Sequence, residues 1–300
     1  MKKEAYEVEY YEPKSVLAMQ ADRREEKHRR KQKKGIRAGR ILLGVAILLF
    51  WEISARLGWI DDYYWSSPSL IAQTAIVQWK EKNLAYDIYF TSMSTIGGFL
   101  AGTLGGAVLG LSFWWSKTFA KIFEPYLVMF NAIPKLALAP ILIVLFGIGF
   151  SSKVMLAFLM TVISCALATV SGVENVDESM ETLLYSLGAA RWQVFGKVVV
   201  PAVLPWMLGN LRINISLALA GAIVGEFIAS GHGLGRMVIY AGTILDTTLV
   251  WVGVIVLSLL AMVMYFAVVE LEKWMTEHLA FYRKAGGGPQ PLCCDTPLGT

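Results

Sequence analysis

The 300-residue chain has little of what most catalytic chemistry uses. It holds three cysteines and three histidines, and only 17% of its residues are charged. Cys165 lies inside an apolar run and reads as a small packing residue. Cys293 and Cys294 are adjacent in a polar tail, so the cysteines have neither the spacing of a disulfide framework nor that of a metal site. That tail is open to acylation but lacks a C-terminal prenylation box. His28, His232 and His278 are scattered, and no metal site is expected from them. The phosphate-binding pattern GxxxxGK[ST], the zinc pattern HExxH and the nucleophile elbow GxSxG are all missing. The chain is therefore expected to bind no cofactor and to catalyse no reaction itself. A cleavable signal peptide is not expected either, because the basic stretch before the first apolar run is much longer than a signal n-region.

Apolar residues are what the chain does have. They make up 56% of it, with a mean hydropathy of +0.53. Several runs reach the roughly 20 residues that a membrane-spanning helix needs. These runs are apolar all round rather than striped, which argues against a soluble helical bundle. The reading is an all-α polytopic membrane protein with about six spans: 41–59, 93–115, 125–150, 154–173, 204–228 and 249–269. A basic tail (1–40) precedes a membrane domain (41–275), and a Gly- and Pro-rich tail (276–300) follows.

Charge placement suggests an orientation. Residues 21–40 are densely basic and directly precede the first span. A basic cytoplasmic flank is commoner at that place than a nucleic-acid site, so nucleic acid is not an expected partner. Both termini and the loops 116–121 and 174–203 then face the cytoplasm. Lys80, Lys82, Lys153 and Arg236 fall in the outer loops, which are poorer in basic residues.

Three features mark the spans. Glu52 and Arg56 are four apart and able to pair on one face of the first. Gly98, Gly102, Gly106 and Gly110 line one face of the second, a seam along which another backbone can come close. Pro134 and Pro140 break the third, beside Asn131 and Lys135. Lys135 belongs either near mid-depth or nearer the cytoplasm. Between the first two spans, PSLIAQTAIVQW (68–79) reads as a helix in the outer interface. Arg212 and Glu226 are roughly 21 Å apart along one helix and must pair elsewhere. Asn131, Ser164, Thr169, Asn210, Asn214 and Ser216 are the intramembrane polar candidates for a solute path. For any one of them, hydrogen bonding between helices is the commoner role.

The stretch 174–205, ENVDESMETLLYSLGAARWQVFGKVVVPAVLP, is a long polar interruption. It reads as two short helices hinged at Gly188, with Pro201 in the first turn of a new helix. It resembles the coupling loop of ABC import permeases, in which E-A-A, three residues and Gly precede an apolar-Leu-Pro. Gly188-Ala189-Ala190-Arg191, Val200-Pro201 and Leu204-Pro205 match that pattern. The E-A-A triplet falls on Thr182-Leu183-Leu184, with Glu181 one place early. PYLVMFNAIPKLALAPILIVLFGIG, PWMLGNLR and VGEFIASGHGLG resemble, in order, further segments of the nitrate, sulfonate and taurine branch, with Asn210 in place of a usual glycine.

The resemblance implies a type I ABC importer fold in the plasma membrane. It also implies a second permease copy, two cytosolic ATPase subunits holding ATP and Mg, and an extracytoplasmic solute-binding protein. Glu181, Thr182, Gly188, Ala189, Arg191, Trp192 and Pro201 would face the ATPase. The expected cargo is a nitrate-, sulfonate- or taurine-like anion, or else a vitamin precursor such as thiamine pyrimidine or riboflavin. An ion-coupled secondary transporter is the alternative, and it would more usually show internal repeats with broken helices in both halves.

Overall fold

The structure is a computed structural model and describes residues 36, 39, 40, 42–59 and 61–285. The basic and C-terminal tails, with Cys293 and Cys294, lie largely or wholly outside these residues. Helix is the dominant state throughout, as long runs without interior polar breaks require.

Two compact units divide the chain after Ser69. The first contains helix α1, residues 42–56, and the one-turn helix α2, Asp62–Trp65. Glu52 and Arg56 pair on α1 at 2.7 Å, as their spacing predicts. The other Glu52 oxygen accepts from the Ser69 N–H at 3.1 Å, and Trp51 Nε1 donates to Ser66 O at 3.2 Å.

The second unit is built on three helices: α4 (Leu84–Trp115), α7 (Phe150–Glu174) and α10 (Val200–Ile228). Helix α3, Pro68–Glu81, occupies the stretch expected to lie in the interface. The glycine face of α4 meets α7. A Cβ at Gly98 would lie 2.2 Å from the Ala157 Cβ, at Gly102 1.8 Å from Thr161 Oγ1, and at Gly106 2.4 Å from Val162 O. Glycine is thus required for the closeness of the two backbones. From the other side, Gly221 and Gly225 of α10 lie against Ala157 and Lys153. Helix α7 is therefore held between two small-residue faces, with Ala157, Cys165 and Ala166 fully buried.

The third expected span is broken, as its prolines require. Helix α5 (Lys117–Ala132) and the segment Lys135–Phe146, which ends in helix α6 (Ala139–Phe146), meet at 80°. Lys135 Nζ donates to Asn131 O and Oδ1 at 3.1 and 3.2 Å, supplying a cation to the carbonyl end of α5.

Beyond α10 come α11 (Leu234–Thr243) and α12 (Thr247–Ala285). The Arg212 guanidinium on α10 grips Glu272 on α12 with two bonds of 2.5 and 3.0 Å, the partner that Arg212 needed. Among the described residues four helices are long and apolar enough to cross a membrane, or five if the bent pair crosses as one. The first expected span begins at Ile41, outside the described residues.

One expectation is refined and one corrected. Pro201 lies in the first turn of α10, as its spacing predicts, and the turn before it, Phe195–Val199, is a π-turn that joins α9 to α10 in one helical run, Arg191–Ile228. The proline has no N–H and its ring crowds the carbonyl four residues back, so the wide turn just before it keeps the helix going where a regular α-turn would break. Lys153 is not a loop residue. It is fully buried in the first turn of α7 because that helix starts at Phe150, ahead of the apolar run.

Candidate functional site

The elbow begins with helix α8, Glu178–Ser186. Asp177 caps it, its carboxylate accepting from the Ser179 N–H (2.8 Å) and hydroxyl (2.7 Å). Those bonds hold the Asp177 carboxyl below its ordinary pKa. Glu178 and Glu181 in the first turn suit the positive end of the helix dipole.

Gly188 ends α8 at φ +83°. Its N–H donates to Tyr185 O and the Ala189 N–H to Leu184 O, both at 3.0 Å, a Schellman closure that needs a left-handed residue at Gly188. No atom lies within 4 Å of a Cβ built there, so glycine is demanded by backbone conformation and not by space. The chain then enters helix α9, Arg191–Val194, where Gln193 Oε1 accepts from the Ala190 N–H at 2.8 Å.

Both arms of the elbow are fastened to the adjacent end of α4. Trp114 Nε1 donates to Glu181 Oε1 at 2.8 Å. The Arg191 guanidinium bonds the carbonyl of Trp115 and lies 5.3 and 5.1 Å from the rings of Trp114 and Trp115. Trp192 sits 4.4 Å from Trp115, ring to ring. Beneath them Val176, Val199 and Val203 form a small buried core. Outward the surface is open: Leu183 is 54% exposed, Leu187 74% and Trp192 70%. Thr182, Gly188 and Pro201 are exposed too, while Glu181 and Ala189 are half-buried. The sequence-selected residues are thus gathered on one elbow. The tryptophan pair that anchors them was missed, although two aromatic rings at a span's end mark an interface position.

The intramembrane polar candidates divide. Asn214 Nδ2 donates to Thr103 Oγ1 (3.3 Å), and Asn210 Nδ2 donates to Asn214 Oδ1 (3.2 Å) and Ser164 Oγ (3.4 Å). These four side chains form one network across α4, α7 and α10. Thr169 is a packing residue, fully buried against Gly110 and bonded to Cys165 O. Ser216 is exposed and bonds Arg212 O. Asn131 belongs to the Lys135 cap.

At the opposite end of the bundle lies a cluster that sequence reading did not assemble. The first N–H groups of α11 each meet a side-chain oxygen from another helix. The Gly233 N–H donates to Asp87 Oδ1 (2.7 Å), the Leu234 N–H to Thr91 Oγ1 (2.9 Å) and the Gly235 N–H to Glu226 Oε2 (2.8 Å). The Thr91 hydroxyl in turn donates to Glu226 Oε2 at 3.0 Å. Lys153 Nζ caps the end of α10 through the carbonyl of Ala229. Gly233, at φ +114°, leaves room for Glu226, since a Cβ there would lie 2.4 Å from the carboxyl carbon. Four side chains from three separate helices, Asp87 and Thr91 on α4, Lys153 on α7 and Glu226 on α10, meet here, and no local spacing signals that.

Comparison with known proteins bears on this geometry. A profile of the family described as "Binding-protein-dependent transport system inner membrane component" matches residues 102–277. The formylaminopyrimidine transport permease protein of Halalkalibacterium halodurans is 32% identical over 77% of this chain and 92% of its own length. The riboflavin transport system permease protein of Chloroflexus aurantiacus is 30% identical over 76% and 85%. The taurine transport system permease protein of Escherichia coli is 32% identical over 59% and 64%. Among solved structures, a methionine ABC transporter in an inward-facing conformation shares the fold, with a TM-score of 0.54 at 19% identity over 63% of this chain and 94% of that one.

Proposed function

The chain belongs to the family of binding-protein-dependent transport inner-membrane components and is a multi-pass permease of the ABC importer class; from that premise we propose that its elbow is where ATP-driven work enters. The ion-coupled alternative falls with the family membership. The family implies an ATPase and a solute-binding protein as partners. In our reading the ATPase holds the ATP and Mg, this chain catalyses nothing, and it works beside a second permease copy within membrane lipid. The cargo is a small solute of the range named for the relatives, which runs from taurine to formylaminopyrimidine and riboflavin. Elbow and both termini lie in the cytoplasm, in keeping with the basic residues of 21–40.

One observation carries this reading. The elbow presents Leu183, Leu187 and Trp192 to solvent, yet Trp114, Trp115, Glu181 and Arg191 fix its base. An apolar patch of that kind on a held framework suits a protein partner. A push on it moves the end of α4 rather than deforming the loop. Gly188, Ala189, Arg191 and Trp192 would lie beside the ATPase, with Thr182 and Pro201 at the margins. The test is affinity purification of the tagged chain from its native membrane in mild detergent. An ABC-type ATPase should co-purify and be lost when Leu187 and Trp192 are both changed to Glu. Equal recovery with the double variant would remove the elbow from the docking surface.

A further inference from the structure

An open recess of about 410 Å³ lies along the elbow-side half of α10. Trp206, Gly209 and Asn210 line it, together with Ala168 of α7. A recess of that size has ample room for a single small ring system. Its chemistry is more telling than its size.

Asn210 and the Trp206 indole N–H are the polar groups of the lining, and the Asn210 amide is oriented by the network behind it. Both amide donors are committed inward, one bond going to Asn214 Oδ1 and one to Ser164 Oγ. Asn214 is itself fixed by donating to Thr103. The Asn210 amide group is thereby held with Oδ1 as its free polar atom, an acceptor with no bond to any described residue. Trp206 adds a broad aromatic face that is 46% exposed. A Cβ at Gly209 would have nothing within 4 Å, so the glycine leaves open the space beside that face.

No lysine or arginine is among the described residues of the lining. The nearest in sequence, Arg212, is spent on Glu272 through two bonds. An oxyanion in this place would meet no cation, only the Trp206 indole N–H beside the Asn210 acceptor oxygen, and shedding its water there is unfavourable. A flat ring with N–H groups would stack on the indole and donate to Oδ1.

We propose that Trp206 and Asn210 form a subsite for a planar, uncharged nitrogen heterocycle bearing N–H donors, the chemistry of an aminopyrimidine and not that of a sulfonate. The subsite rests on the permease reading and narrows its cargo. Gly209 leaves the space beside the indole open, and the Thr103–Asn214–Ser164 network positions the amide without touching the solute.

The test is equilibrium dialysis on the purified permease, with whatever ATPase it retains, in lipid nanodiscs. The probes are radiolabelled 4-amino-2-methylpyrimidine and methanesulfonate. The aminopyrimidine should bind in preference to methanesulfonate. Trp206→Ala should weaken it by at least about tenfold, as loss of aromatic stacking on a base does. Gly209→Leu, whose Cβ has open space around it and whose side chain would crowd the face of the indole, should abolish binding while the size-exclusion profile and melting temperature stay unchanged. Methanesulfonate binding as tightly as the pyrimidine overturns the assignment of substrate class. Pyrimidine binding that is absent, or indifferent to both variants, overturns the subsite, and retained ATPase in the same sample shows that the permease reading survives. If no ATPase is retained the coupling reading fails, yet the comparison of probes still decides the subsite.

Discussion

The elbow end and the α11 end of the bundle use charge in opposite ways. At the elbow, Glu178, Arg191 and Lys117 lie on the surface, and their partners are rings, a backbone carbonyl and each other. At the α11 end, Asp87, Glu226 and Lys153 are buried and satisfy helix-terminal N–H and carbonyl groups of neighbouring segments. Exposed pairs are screened and easily exchanged, whereas buried groups must be matched or the fold loses the cost of their desolvation. The elbow can therefore tolerate the making and breaking of a partner contact. The other end is held as one piece, which ties α11 to α4 and α10.

Mutations can separate these behaviours, and the largest effect is expected at the buried end. Glu226→Ala strands the Gly235 N–H and the Thr91 hydroxyl inside the protein and should cost about 2–4 kcal/mol. A clear fall in melting temperature in detergent should follow, with Glu226→Gln recovering part of it by keeping an acceptor. An unchanged melting temperature would erase the contrast between the ends.

Gly188→Val comes next. The site has room, so the penalty is the left-handed backbone alone, about 1–2 kcal/mol for an ordinary residue and more for a β-branched one. Membrane insertion should be normal while ATP hydrolysis by the assembled transporter runs without matching uptake. Coupled uptake at the wild-type ratio would show that the turn geometry is not needed.

Arg191→Leu removes a cation held over two indoles, an interaction of about 1 kcal/mol at a partly exposed site. The expected outcome is faster hydrogen exchange across residues 178–194 with little change in melting temperature. Protection equal to that of the wild type would mean that Glu181 and Trp114 hold the elbow by themselves. The smallest effect belongs to Lys117→Gln. Its pair with Glu178 is 3.3 Å long, with both side chains more than four-fifths exposed, and should be worth less than about 0.5 kcal/mol. A large shift there would indicate that the elbow surface is less open than described.

Much of this was legible from residue order. Four glycines at every fourth position announced a close helix contact, and the structure supplies α7 as the partner. Pro134 announced the break that the 80° bend realises. Gly188 between two short helices announced the turn that its φ of +83° makes. In each case a local steric rule, acting within a few residues, fixes the answer.

The rest depended on which helices become neighbours. Residue order could say that Glu226 and Arg212 need partners, but their partners sit on helices far along the chain. It assigned Lys153 to a loop because hydropathy averages over a window, while the burial of one ammonium depends on its partners, the Ser152 hydroxyl and a carbonyl at the end of α10. It could not tell Asn210, held between two side chains beside a cavity, from Ser216, bonded to its own helix. Sequence determined the helices, their breaks and the elbow, since these follow from backbone sterics and apolar length. Tertiary structure alone decided which polar groups meet, because a side chain's partner is set by the packing of distant segments and not by its neighbours along the chain.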